Sequence, residues 1–116
     1  MHELSIASAI VDTAVKHADG RAVSVVTVRI GHLRQAIPSS LQFYFGICTR
    51  ETVCEGATLE LEVVPGRLQC RGCGCEWSVD LPAFRCPACA GGDVEVMAGE
   101  ELEVESIEVE DAACTV

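Results

Sequence analysis

Positive charge is scarce in this chain: 8 Lys and Arg stand against 18 Asp and Glu, a formal net charge of -10 over 116 residues. A nucleic-acid binder needs Lys and Arg to displace counterions from phosphates, so nucleic acid is not an expected partner, and neither is an anionic membrane. Long apolar runs are also missing, since a charge or glycine interrupts each one after a handful of residues. None approaches the roughly 20 residues that span a bilayer. The start lacks the basic and apolar regions of a signal peptide. A cytoplasmic protein is expected, its acidic surface suited to cations or basic protein surfaces.

What is present is globular in kind. Apolar residues make up 49% of the chain, mostly Val, Ala and Leu rather than aromatics. That allows one ordinary domain or two very small ones, with one modest core. Eight cysteines stand at 48, 54, 70, 73, 75, 86, 89 and 114. In a reducing compartment, closely spaced cysteines read as metal ligands rather than disulfides.

Apolar periodicity sets out the elements. Leu4, Ala7, Ile10, Val11, Ala14, Val15 and Ala18 follow helical spacing up to Gly20. AVSVVTVRI at 22–30 is a β-branched strand with Val26, Val28 and Ile30 on one face. Pro38 suits the first turn of a second helix, with Ser39 and Ser40 near its cap and Leu41, Tyr44, Phe45 and Cys48 as its buried stripe. Gly46 within that helix suggests close packing of another element there.

A second strand alternates Leu59, Leu61 and Val63 with Glu60 and Glu62 and stops at Pro65-Gly66. After it, Trp77 to Val79 and Val94 to Val96 are long enough only for short strands. In ELEVESIEVE the apolar parity slips at Ser106, which implies a bulge or a change of buried face.

The fold class that follows is α/β (α+β), a small mixed three-stranded sheet with two helices plus an inserted zinc-ribbon-like module. The domain reading is residues 1–66 together with 99–112, a zinc-binding module at 67–98, and a flexible tail at 113–116.

CRGC at 70–73 and CPAC at 86–89 are two Cys-x-x-Cys knuckles separated by twelve residues. Cys70, Cys73, Cys86 and Cys89 can close a tetrahedral thiolate shell around zinc, which leaves no position open for catalytic water. A structural zinc, and no enzyme, is the expectation; a rubredoxin-like iron site would be coloured. Gly74 frees the first knuckle's backbone, whereas Ala90 stands where a second glycine is expected. Cys75 is a fifth thiol nearby, read as a bystander, with a spare or alternative ligand as the other reading. Cys48 and Cys54 read as core or strand-entry residues and Cys114 as an exposed tail thiol.

The chain begins Met1-His2-Glu3. A bulky residue in second place predicts that Met1 is retained. The Met1 amine, the His2 amide and the His2 imidazole can then form fused chelate rings, with the Glu3 amide or carboxylate in reach of a fourth position. Nitrogen ligands in a square plane favour Ni(II) or Cu(II); a surface histidine without function is the alternative. His17 near the first helix's C-terminus suits the local field, and His32 reads as a polar surface residue.

MHELSIA at the start, IGHL at 30–33, IPSSLQFYF at 37–45, EGATLELEVVP at 55–65, the paired knuckles and EELEVESIEVE at 100–110 together resemble the HypA/HybF family of nickel metallochaperones for [NiFe]-hydrogenase maturation. The resemblance covers nearly the whole chain. It implies nickel at His2, aided by Glu3 and the terminal backbone nitrogens including the Met1 amine, and structural zinc at the four knuckle cysteines. It also implies two partners, the nickel-handling GTPase HypB and the hydrogenase large-subunit precursor, with the protein a monomer or homodimer. Departures from the family pattern fall at His32, Arg34, Gln35, Cys75 and Ala90. Two rival readings are a zinc-ribbon adaptor that needs nothing at His2, and a redox protein using Cys73 and Cys75 or an iron centre.

Overall fold

The computed structural model describes residues 2–79 and 84–110. Met1, Cys114 and the tail expected at 113–116 lie outside the described residues.

Helix α1 covers His2–Ala18, and its helical spacing puts Ile6, Ala7, Ile10, Val11, Ala14 and Ala18 in the core. That face carries small and β-branched side chains, so a second helix can approach it closely. Helix α2, Pro38–Cys48, packs there through Leu41 and Phe45. Pro38 stands in the first turn, where a missing N–H leaves no helical bond unmade. Asp19 and Gly20, at φ of 52° and 83°, turn the chain out of α1.

Strands β1 (Val23–Gly31), β2 (Thr58–Val64) and β6 (Leu102–Val109) form a sheet in the order β2-β1-β6. Glu110 N–H donates to Ala22 O at one end, and Gly31 N–H donates to Glu101 O at the other. β6 therefore runs antiparallel to β1. β1 enters beside Val53 and reaches Glu62 through Arg29, so β2 runs parallel to it and the sheet is mixed, as expected. Val26, Val28 and Ile30 are buried on one face, where full burial of such side chains contributes about 1.5–3 kcal/mol each. On the other face Arg29 forks between Glu62 (3.1 Å) and Glu103 (3.3 Å), exposed pairs that contribute little. Burial along β6 alternates, then slips between Val104 and Ile107, the phase change foreseen at Ser106.

One expectation fails. Gly46 receives no neighbouring element, and a Cβ added there would meet nothing within 4 Å. α2 packs through Leu41 and Phe45, which leaves Gly46 among the exposed residues with Phe43 and Ile47. Ser39 and Ser40 stand near the cap as expected, the N-cap residue being Ile37, which makes no side-chain cap hydrogen bond.

Beyond Pro65 the chain resumes as β3 (Gly66–Cys70), which pairs antiparallel with β4 (Glu76–Val79) and β5 (Val94–Ala98) in the order β4-β3-β5. Leu68, opposite both Trp77 and Val96, is fully buried. Two glycines, Gly66 and Gly99, close around Leu33, which follows β1 in a short 3-10 turn (His32–Arg34). A Cβ on Gly66 would lie 2.9 Å from the Leu33 side chain, and one on Gly99 would lie 2.6 Å from the Gly66 Cα. A Cβ on Gly31 would overlap the Gly99 carbonyl.

By its internal contacts the described chain falls into two units. One comprises the residues up to Arg29, Ala36–Glu62 and those from Glu103 on; the other comprises Ile30–Gln35 and the described residues of Val63–Leu102. No described helix is long and apolar enough to cross a membrane.

Candidate metal centre

The two knuckles are built on one hydrogen-bond plan. Gly74 N–H donates to Cys70 O at 2.8 Å, and Ala90 N–H donates to Cys86 O at 2.8 Å. Cys70 N–H donates to Cys75 O at 2.8 Å, and Cys86 N–H donates to Gly91 O at 3.0 Å. Each turn needs a left-handed residue just after its second cysteine, which Gly74 supplies at φ 81° and Ala90 at φ 60°.

These turns bring the predicted zinc ligands together. The sulfurs of Cys70, Cys73, Cys86 and Cys89 all lie within 4.8 Å of one another. Cys70 is 3.6 Å from Cys89, and Cys73 is 3.5 Å from Cys86. A tetrahedral zinc thiolate shell has sulfur–sulfur edges of about 3.8 Å, so the four fit such an ion. Cys70 and Cys86 are buried, while Cys73 and Cys89 are exposed.

Electrostatics make the same case for a cation. Cys86 Sγ accepts from the amides of Ala88 (3.4 Å) and Cys89 (3.5 Å). The Cys89 amide is the largest influence, and the Cys86 thiol is pulled down to about 6. The Cys75 amide lowers Cys73 in the same way, but the Cys86 thiol, burial and the other two cysteines outweigh it and push Cys73 up to about 12. Cys89 is likewise raised, despite the amide of Gly91. The cluster favours the thiolate at Cys86 and opposes it at Cys73 and Cys89, so a shell of four thiolates requires a divalent cation to balance it.

The amino terminus is a different kind of place. α1 starts at His2, and Met1 lies outside the described residues. Glu3 is buried, and its Oε2 accepts the Ile37 amide at 3.1 Å. That hydrogen bond is the main reason its carboxyl sits below the usual range. Sequence reading missed this link because 34 residues separate the two partners. Among the other histidines, His17 stands in the last turn of α1, and His32 opens the exposed 3-10 turn.

A family model described as hydrogenase/urease nickel incorporation, metallochaperone, hypA, matches residues 1–109. The chain belongs to the HypA family. The hydrogenase maturation factor HypA of Geobacter metallireducens is 46% identical over 110 residues, covering 95% of this chain and 100% of that protein. Its counterpart in Streptomyces avermitilis is 41% identical over 116 residues, covering 96% and 88%. The solution structure of the Ni metallochaperone HypA from Helicobacter pylori matches with a TM-score of 0.67 at 23% identity, over 92% of this chain and 96% of that one. This last likeness speaks for the fold. The HypA family is one of nickel-incorporating metallochaperones for hydrogenase maturation and not of enzymes, and the four-cysteine cluster suggests zinc.

Proposed function

We propose that this chain binds Ni(II) at its amino terminus, through His2, the Met1 amine and the Glu3 backbone nitrogen, and passes it to the hydrogenase large-subunit precursor. HypB, the family's nickel-handling GTPase, is the partner proposed for loading or release, in the cytoplasm. Zinc at Cys70, Cys73, Cys86 and Cys89 is structural, its role being to hold the two knuckles in one unit.

The observation that carries this reading is that α1 begins at His2. The first amides of a helix have no intrahelical acceptor, so deprotonating the His2 amide for nickel breaks no helical hydrogen bond. The positive end of the helix dipole opposes a dication there, which keeps the complex weak and the cargo transferable. The Glu3 carboxylate is engaged with Ile37, which supports a role for Glu3 through its nitrogen, with its side chain steadying the first turn.

Equilibrium dialysis of nickel against the zinc-loaded protein is the test. His2→Ala should abolish nickel binding and leave zinc content unchanged. Loss of both metals together would overturn the two-site picture. A residue added before Met1 should also weaken nickel by displacing the amine; undiminished binding would remove the amine from the ligand set. If the native zinc-loaded chain binds no nickel at all, the adaptor reading takes its place.

A further inference from the structure

Strand β6 stands at the end of its sheet. In the order β2-β1-β6 it has β1 on one side, and among the described residues no strand pairs with its other side. The inner edge is held by β1, and Ser24 Oγ adds a bond to the Glu108 carbonyl at 3.2 Å. The outer edge leaves every second N–H and C=O open, a template for another strand.

A groove of about 280 Å³ lies along β6, lined by Val104, Glu105, Ser106 and Ile107 and by His17 in the last turn of α1. Successive residues of a strand point to opposite faces, so a hollow touched by four in a row opens on the strand's edge rather than on one face. Since β1 occupies the inner edge, the groove belongs to the outer one. The slip in burial between Val104 and Ile107 falls at the same place, as irregularities that re-aim side chains at sheet edges do. Val104 and Ile107 give the groove apolar walls, and the exposed Glu105 gives it an acidic one. That combination suits a long aliphatic side chain tipped with a cation.

Charge selects the occupant. No Lys or Arg follows Arg85 in the sequence, and β6 itself carries Glu103, Glu105 and Glu108. Glu103 is paired with Arg29, but among the described residues the exposed carboxylates of Glu105 and Glu108 have no ion-pair partner. A second copy of this chain would set Glu against Glu across the new ladder, and like charges opposite one another are destabilising. Lys or Arg in those places would pair instead.

We propose that the outer edge of β6, over residues 103–109, is a docking site for an extended basic segment of a partner protein. The segment adds to the sheet as a further strand, with one Lys or Arg side chain in the groove beside His17 and others against Glu105 and Glu108. Main-chain hydrogen bonds then supply affinity, while the groove and the carboxylates supply selectivity. The site uses neither the amino terminus nor the four knuckle cysteines, so it is independent of both metal readings.

The test uses the full zinc-loaded chain and a peptide of alternating Lys and Thr as long as β6, blocked at both ends. Amide chemical shifts and hydrogen exchange of the isotope-labelled chain are followed on titration. Shifts and new exchange protection should concentrate at residues 103–109. A proline in place of the central Thr removes a ladder hydrogen bond and should weaken binding roughly three- to tenfold. Glu105→Lys/Glu108→Lys should lose the Lys peptide and gain one of alternating Glu and Thr, an exchange that a misfolded variant would not make. A proline peptide that binds as tightly as its parent would reduce the effect to charge attraction and overturn the proposal. So would absence of binding, or shifts centred away from β6. Exchange protection of this edge in the native chain alone, with sedimentation as a dimer, would make a second copy the occupant and overturn it too.

Discussion

Ala90 carries the left-handed turn that Gly74 makes in the first knuckle, at φ 60° against 81°. A left-handed backbone costs an L-residue roughly 1–2 kcal/mol, whereas glycine adopts it freely. Ala90→Gly should therefore stabilise the zinc-loaded protein, by up to about 1 kcal/mol after glycine's greater freedom in the unfolded chain is subtracted. Gly74→Ala should destabilise by about the same amount, because its Cβ would meet nothing within 4 Å and only the backbone opposes it. Thermal unfolding of the zinc-loaded variants measures both shifts. Shifts of the same sign would show that the two turns are not equivalent.

In α2 the argument concerns a whole helix face. The packing of α2 against α1 runs through Leu41 and Phe45, and Gly46 faces open space. Gly46→Ala should then stabilise the helix by about 0.5–1 kcal/mol, the cost of glycine in a helix interior. Denaturant unfolding followed by helical circular dichroism tests it, and a destabilised variant would show that the face is in use. Gly31→Ala is the contrasting case, since its Cβ would overlap the Gly99 carbonyl. Backbone cannot move aside as a flexible side chain does, and a loss beyond the usual 1–3 kcal/mol of overpacking is expected.

These cases mark what can be read from a sequence. α1 and β1 were legible because Ala7 to Ala18 and Val26 to Ile30 carry their period in their own residues, although Leu4, read with the α1 stripe, is exposed and Ile6 is buried in its stead. β3 was not, because Leu68 lies between Arg67 and Gln69 and gains its burial only from Trp77 and Val96. The gathering of Cys70, Cys73, Cys86 and Cys89 was legible from knuckle spacing alone, and the slip at Ser106 from a change of parity. Gly66 read as a stop, while its crowding with Gly99 against Leu33 arises only when distant segments meet. The Glu3–Ile37 bond was hidden for the same reason.

At the scale of the whole chain, the two units differ in what holds them. The unit with both helices buries Ile6, Ile10, Val26, Val28, Leu41 and Phe45. The cysteine unit buries Ile30 and Leu68 with the thiols Cys70 and Cys86, and Trp77, Val79, Val94 and Val96 are only half-covered. Under the zinc reading proposed above, a unit so poor in buried apolar surface draws its folding free energy from the metal, on the order of 10–16 kcal/mol in zinc-finger peptides. Chelation should therefore unfold β3, β4 and β5 while α1 and α2 persist. Acid should act alike. Cys86, lowered to about 6 chiefly by the Cys89 amide, stabilises the fold in full only above the ordinary thiol range of about 8.5, and that contribution is lost as pH falls from there to about 6. Acid should therefore promote zinc release, because the thiolates that hold the ion must be reprotonated. Trp77, the single tryptophan, lies on β4, whereas both helices lie in the other unit. Its fluorescence thus reports one unit and helical circular dichroism the other. On adding chelator the tryptophan emission should shift to the red with the helical signal largely kept. Simultaneous loss of both signals would show that the helical unit cannot stand without the zinc.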